Sequence, residues 1–150
     1  MRRAAVSVAF LFLVSAAKAA PPACYRPAEI EADQAIRFQT ELMVTSEVCK
    51  VSSYVDFTRR NREAIIAYQH ALIDHYRRIG DRHAEATLDS YMTRLANELA
   101  LSDGQQPAVT LCSGASGWLA AAGALGSADF HRIAASRAAD HNDSYRHCPD

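Results

Sequence analysis

The chain has 150 residues, of which 49% are hydrophobic and 22% are charged, and its formal charge at pH 7 is −1. This composition is that of an ordinary globular protein, so it excludes a disordered polar chain and a collagen-like chain. The near-neutral charge argues against a strongly basic nucleic-acid-binding protein. The length fits one domain or two very small ones.

The start of the chain has the pattern of a secretory signal peptide, which we assign to residues 1–19. Two arginines follow the first methionine, residues 4–14 are almost entirely apolar, and Ala17 and Ala19 are the small residues before the expected cleavage point. An apolar run of this length is too short to span a bilayer, which needs about 20 residues. A cleaved signal is therefore favoured over a retained membrane anchor.

Removal of that segment changes the charge of the remaining chain. Residues 20–150 carry 13 basic and 17 acidic side chains, a formal charge of −4, which strengthens the argument against nucleic-acid binding. We expect a periplasmic or secreted protein that does not span a membrane after cleavage, in a compartment where disulfides form. Residues 20–150 are expected to form a single helical domain that begins with an extended lead over residues 20–26.

Two long helices are predicted in the first half of this domain. Pro27 suits the first helical position, and residues 28–50 have apolar side chains at three- and four-residue spacing without glycine or proline. The second helix is predicted from about residue 54 to residue 79 and ends at Gly80. The polar residues 58–63 predict a bend or a frayed start in it. Three acids suit the positive N-terminus of the first helix, namely Glu29, Glu31 and Asp33.

The second half of the domain is predicted to contain shorter helices. A third helix over residues 82–101 has the cleanest amphipathic stripe in the chain, and Gly104 and Pro107 end it. Residues 103–112 are predicted as a loop, with a brief extended piece at 109–112. A short helix within residues 113–126, a last helix over 128–141 and a polar tail over 142–150 complete an all-α domain of four or five helices packed as a bundle.

Four cysteines in an exported chain without a C-x-x-C motif favour two disulfides over a metal site or a redox motif. An unbroken helix from Pro27 to Cys49 rises roughly 33 Å, whereas the Cα atoms of a disulfide lie about 4.4–6.8 Å apart, so Cys24 cannot pair with Cys49. Antiparallel packing of the first three helices brings Cys112 to the end of the bundle that holds Cys49. We predict Cys49–Cys112 and Cys24–Cys148, and the alternative of Cys24–Cys112 with Cys49–Cys148 stays open.

The arginines of the second helix form two basic clusters that could bind an anionic partner. Arginine donates paired hydrogen bonds to carboxylates and phosphates, so a partner protein, a lipid headgroup or a cell-wall polymer would fit. Neighbouring acids such as Asp74 and Glu85 offer the alternative of a salt-bridged face in water. The candidate residues are Arg59, Arg60 and Arg62 at the start of the helix and Arg77 and Arg78 at its end.

Two segments resemble parts of small exported bacterial helical proteins of unknown function. They are Thr40–Val44 (TELMV), which leads to Cys49, and Leu88–Glu98 (LDSYMTRLANE), and the resemblance covers residues 27–112. It implies no activity. A polar site shared by such proteins would consist here of Arg94, Asn97 and Glu98, for which a solvated helix face is the alternative interpretation.

No catalytic residue, metal or cofactor is predicted. His70 and His75 are five residues apart, which separates them by about 140° around a helix, so they do not form a metal-binding pair. The histidines and aspartates near the C-terminus are interpreted as a solvated polar end. Four tyrosines fall at core or half-core positions and could instead line a small cleft with their hydroxyls: Tyr54, Tyr68, Tyr76 and Tyr91.

These observations favour an exported, non-catalytic interaction or envelope-associated module, whose partner would be an unidentified protein or envelope component. The alternative is a small-ligand binder or an enzyme with a polar cleft between its helices. A deep pocket with converging Tyr, His or Arg side chains from different helices would favour this alternative. A contiguous apolar surface larger than a few hundred Å² would favour partner binding.

Overall fold

A computed structural model describes residues 24–139 and 144–149, and the predicted signal peptide lies outside these ranges. In the described part of the chain, five α-helices follow one another, so the predicted all-α class is confirmed. No helix among the described residues is both long and apolar enough to cross a membrane. The helices are α1 (Pro27–Cys49), α2 (Ser53–Arg78), α3 (Ala84–Asp103), α4 (Ala108–Ala124) and α5 (Ser127–Arg137).

Helix α1 is the central element, because the other four helices all pack against it. Phe38 and Leu42 on one side belong to a core shared with α2, α4 and α5, while Ala32 and Ile36 on another side pack against α2 and α3. The apolar spacing that predicted this helix marks only part of its buried surface. Surrounding helices bury several polar side chains of α1 as well, Asp33 among them.

The larger core is built on three phenylalanine rings from three helices. The Phe57 and Phe130 rings meet edge to face with centroids 4.8 Å apart, and Phe38 lies 5.6 Å from Phe57. Each of the three side chains is at most 2% exposed. Such pairs add about 0.5–1.5 kcal/mol to the free energy of burial, so this cluster fixes α2 and α5 against α1.

Helix α2 bends at Asn61, within the polar stretch where a bend was predicted. Asn61 has non-helical backbone angles (φ −113°, ψ 16°). Its buried side-chain amide donates hydrogen bonds to the carbonyls of Phe57 (2.9 Å) and Leu125 (3.0 Å). The bend thereby ties α2 to the end of α4.

The predicted loop over residues 103–112, with its extended piece at 109–112, is wrong over its second half. Helix α4 begins at Ala108 directly after Pro107, which precedes the helix as its N-terminal flanking residue. Proline was interpreted only as a helix stop, but it also favours a helix start, since the first N–H groups of a helix have no partner within it. The last helix ends at Arg137 rather than at residue 141.

Both predicted disulfides are confirmed, and the alternative pairing is excluded. The Cα atoms are 4.8 Å apart in Cys24–Cys148 and 5.4 Å apart in Cys49–Cys112. Beside the first bridge, the backbone of Tyr25 donates to the carbonyl of Arg146 (2.7 Å) and accepts from the N–H of Cys148 (3.0 Å). The C-terminal segment 144–149 is therefore held against the start of α1.

Alanine substitution at two glycines is expected to change the stability of the protein in opposite directions. Gly80 ends α2 with φ +96°, a region where a Cβ costs about 1–2 kcal/mol, so Gly80→Ala should destabilise the protein by that amount. Gly114 lies in α4, where a Cβ would meet nothing within 4 Å. Gly114→Ala should therefore stabilise by about 0.5–1 kcal/mol. Urea denaturation of the two variants measures both effects, and a neutral Gly80→Ala would contradict the first.

Candidate functional site

A buried carboxylate joins three parts of the chain. Asp33 of α1 is 4% exposed and accepts hydrogen bonds from the hydroxyl of Tyr91 in α3 (2.5 Å) and the hydroxyl of Tyr145 in the C-terminal segment (2.5 Å). The Nε of Arg37, one turn along α1, donates a third hydrogen bond at 2.7 Å. The carboxylate charge is thus compensated by a guanidinium and two hydroxyls, as burial of a charge requires.

This carboxylate lies at the base of a cleft of about 370 Å³, within the range of small-ligand sites. Polar and aromatic side chains from α1, α2, α3 and the C-terminal segment converge on it. Thr87 and Ser90 add small hydroxyls on the α3 side. The larger side chains around the cleft are Tyr25, Tyr76, Tyr91 and Tyr145 together with Arg37 and Arg94.

The tyrosines of the cleft are neutral hydrogen-bonding groups at physiological pH. Burial and the nearby charge of Asp33 raise the pKa of Tyr91, and burial together with the hydrogen bond to Asp33 raises the pKa of Tyr145. Burial and the hydroxyl of Tyr25 raise the pKa of Tyr76 to about 12. The phenols therefore keep their protons and act as donors or as ring surfaces.

The two arginines of the cleft flank one ring. The guanidinium carbon of Arg37 lies 5.6 Å from the centroid of the Tyr91 ring, and that of Arg94 lies 5.8 Å from it. Arg37 is half-buried and paired with Asp33, and this charge outweighs the effect of burial and raises the arginine's pKa. Arg94 is exposed, and no carboxylate among the described residues forms an ion pair with it.

A second buried network supports the Tyr25 wall of the cleft. His75 of α2 is 1% exposed, and its ring stacks on Tyr25 with centroids 4.1 Å apart. Its Nδ1 lies 3.0 Å from Oε2 of Glu29. The same Nδ1 lies 3.0 Å from Nη2 of Arg78, and because a guanidinium only donates hydrogen bonds, these two contacts require opposite roles of this nitrogen. Arg78 donates to the other Glu29 oxygen (2.9 Å) and to the carbonyl of Cys24 (2.7 Å).

Glu29 therefore provides a negative charge inside the fold. Burial raises the pKa of this carboxyl, but hydrogen bonds from Arg78, from the backbone N–H of Arg26 and from His75 outweigh burial and lower the pKa to about 2. Of the three acids predicted near the N-terminus of α1, Glu29 is the one whose side chain accepts a hydrogen bond from the backbone that precedes the helix. Glu31 accepts instead from the hydroxyl of Tyr68 (2.9 Å), so the charge–dipole interpretation was incomplete.

The low pKa of Glu29 predicts a loss of stability in acid. The ordinary pKa is 4.5 and the folded-state value is about 2, so the contribution of the ionised group is complete above about pH 4.5 and is lost as the pH falls towards 2. Glu29→Gln should lower the free energy of unfolding by about 3 kcal/mol near pH 6. The difference from the wild type should shrink in acid.

Denaturation of both proteins across this pH range measures the effect. Glu85→Gln is the matched control, because Glu85 forms only an exposed ion pair with Arg77 and should cost less than about 1 kcal/mol at every pH. Parallel loss of stability in the wild type and in Glu29→Gln would show that another group causes the acid sensitivity.

The structure separates the predicted arginine clusters to opposite ends of α2. Arg59 pairs with Asp56, and Arg60 and Arg62 are exposed. Arg77 pairs with exposed acids, whereas Arg78 is held by Glu29 and belongs to the buried network. Binding of an anionic partner by these arginines stays a prediction.

The predicted polar site of α3 lies on an exposed face. Arg94, Asn97 and Glu98 are exposed and line a shallow depression beside the cleft, but only Arg94 also reaches the cleft. The sequence did not identify Asp33, Arg37 or Tyr145 as site residues. The tyrosine pattern was the usable signal, since Tyr76 and Tyr91 were named as residues that could line a cleft.

An apolar groove of about 520 Å³ lies at the opposite end of α1. It is formed by the end of α1, the start of α2 and the second half of α3. Val48, Val51 and Val55 remain 38–59% exposed beside it. The interaction module predicted from the sequence, and the identity of a protein or envelope partner, stay predictions.

Within residues 24–139 and 144–149, no group of three His, Cys, Asp or Glu side chains lies close enough to hold a metal ion. His141, Asp140 and Asp143 of the predicted polar end lie outside the described residues. Comparison with protein families, with characterised proteins and with solved structures found no match to this chain. The observations that bear on its function are therefore the cleft around Asp33 and the second buried network beside the Tyr25 wall.

Proposed function

We propose that this chain is an exported, non-catalytic module that binds a small polar ligand in the cleft around Asp33. One observation carries the proposal: polar groups from three helices and the C-terminal segment converge on a single cleft. Convergence of this kind was the expected mark of a small-ligand binder rather than of a featureless helical scaffold.

The chemistry of the cleft supports binding rather than catalysis. The only carboxylate that lines it among the described residues, Asp33, is committed to three internal donors. The raised pKa values of Tyr76, Tyr91 and Tyr145 keep these phenols protonated, so they are poor bases. A general base needs a free acceptor within hydrogen-bond reach of the substrate.

The two disulfides support both export and a preformed site. Disulfides persist in oxidising compartments such as the periplasm and the extracellular space, in agreement with the predicted signal peptide. Cys148 follows Tyr145 by three residues, and Cys24 directly precedes Tyr25. The bridge between these cysteines therefore holds two walls of the cleft. A wall that is ordered before binding reduces the entropic cost of holding a ligand.

The proposal is tested by screening a library of small polar molecules by nuclear magnetic resonance against the isotope-labelled mature protein. Compounds that bind should shift backbone signals around Asp33, Tyr91 and Tyr145. The blocking variant is Ser90→Trp, because Ser90 is an exposed cleft residue outside the Asp33 network. The control is Ser116→Trp on the exposed face of α4.

Binding in the cleft predicts that Ser90→Trp abolishes the shifts and that Ser116→Trp leaves them unchanged. A compound that binds Ser90→Trp and Ser116→Trp equally, or that shifts signals of the apolar groove, would show that the ligand binds outside the cleft. A screen without any compound that perturbs the cleft would contradict the proposal.

A further inference from the structure

The ligand class follows from the charge of the cleft, and this step rests on the proposed function. We infer that the cleft binds a ring compound that carries one carboxylate, with Arg94 as the group that receives it. Three charged side chains line the cleft among the described residues. Asp33 and Arg37 form an ion pair at 2.7 Å and compensate each other. Within the described residues, Arg94 is the charged side chain of the cleft that has no ion-pair partner.

The guanidinium of Arg94 is placed to accept an anion. Its central carbon lies 5.8 Å from the centroid of the Tyr91 ring, and no described carboxylate is within ion-pair distance of it. Glu98 and Asp89 are the nearest acids along α3 and are both exposed to water. A guanidinium donates two parallel hydrogen bonds to a carboxylate, which a lysine cannot do.

The remaining walls favour a ring beside the carboxylate. The partly exposed Tyr76 and Tyr91 supply aromatic surface, and Thr87 and Ser90 supply small hydroxyls, whereas Tyr145 is only 9% exposed. Tyr25 is stacked on His75 and also contacts the Tyr145 ring, with centroids 5.4 Å apart, so it adds little free ring surface. Tyrosine rings pack against aromatic rings and against the apolar faces of sugars. The two sources of such a ligand are therefore an aromatic acid and a sugar acid.

A single negative charge suits the cleft better than a doubly charged phosphate. Among the described side chains of the cleft, one guanidinium has no ion-pair partner, and it matches one carboxylate. A second negative charge would lie near Asp33 and the acids Asp89 and Glu98 of α3, and like charges at short range repel. Carboxylates are therefore expected to bind in the cleft more tightly than inorganic phosphate.

The experiment measures affinities by calorimetry with five probes. Benzoate and glucuronate represent the aromatic and the sugar acid, benzamide and glucose are their neutral counterparts, and inorganic phosphate is the competing anion. The proteins are the wild type, Arg94→Gln, Arg94→Lys and the control Arg62→Gln. Arg62 is an exposed arginine of α2, 14 residues from Tyr76 and thus about 21 Å along the helix.

At least one of the two acids should bind at least tenfold more tightly than its neutral counterpart and than phosphate. Arg94→Gln should weaken that acid at least tenfold, Arg94→Lys should weaken it less, and Arg62→Gln should have no effect. The acid that binds identifies the source of the ring.

Three results would overturn the carboxylate inference. They are equal binding of the neutral counterpart, tighter binding of phosphate, and an acid affinity that Arg94→Gln does not change. If library compounds still bind and Ser90→Trp still blocks them, the cleft remains a binding site and only the ligand class is wrong. If no compound of any class reaches the cleft, the proposed function itself fails.

Discussion

Asp33→Ala is expected to lower the free energy of unfolding by about 3–5 kcal/mol, the cost of breaking a buried ion pair from one side. The substitution leaves the half-buried guanidinium of Arg37 without its partner and removes the acceptor of two tyrosine hydroxyls. It also removes the side-chain hydrogen bond from Tyr145 of the C-terminal segment to α1. Urea denaturation of the variant measures the loss.

The control is Asp129→Ala, because Asp129 pairs with Arg132 on the exposed surface of α5. This change should cost less than about 1 kcal/mol. Tyr91→Phe and Tyr145→Phe each remove one hydrogen bond to a charged group and should cost about 1.5–3 kcal/mol. An Asp33→Ala variant as stable as Asp129→Ala would show that Asp33 does not organise the cleft.

The helices and the disulfides could be predicted because their signals are local or geometric. The apolar spacing of residues 28–50 specifies a helix without any knowledge of its neighbours. Its length then excludes Cys24–Cys49, since the rise of the helix exceeds the span of a disulfide. The boundary at Pro107 failed because proline is compatible with both the end and the start of a helix.

The cleft could not be predicted, because its central residue has two interpretations that only packing separates. In the sequence, Asp33 is one of three acids near a helix N-terminus, a common feature of solvated helices. Asp33 is buried by α3 and by the C-terminal segment. The residues of these elements that contact it, Tyr91 and Tyr145, are 58 and 112 positions away in the sequence. Tyr145 lies in a segment whose composition is that of a polar tail. Its burial depends on Cys24–Cys148 and the backbone hydrogen bonds beside that bridge.

The bridge Cys24–Cys148 is therefore expected to stabilise both the fold and the cleft. Replacing both cysteines with serine should lower the free energy of unfolding by about 2–5 kcal/mol. The loop that this bridge closes spans 124 residues, against 63 for Cys49–Cys112. Closure entropy rises by about 0.6 kcal/mol for each doubling of loop length, so Cys24→Ser/Cys148→Ser should cost more than Cys49→Ser/Cys112→Ser by roughly that amount.

A double-mutant cycle separates the local effect of the bridge from its general effect on the unfolded chain. If the bridge holds Tyr145 against Asp33, Tyr145→Phe should cost about 1.5–3 kcal/mol with the bridge and much less without it. Tyr91→Phe is the matched control, because Tyr91 bonds the same carboxylate from α3 and should cost the same in both backgrounds. Tyr145→Phe could instead lower the free energy of unfolding equally with and without the bridge. The C-terminal segment would then be held by Tyr145 and the Tyr25 backbone alone. The disulfide would stabilise the protein only by restricting the unfolded chain.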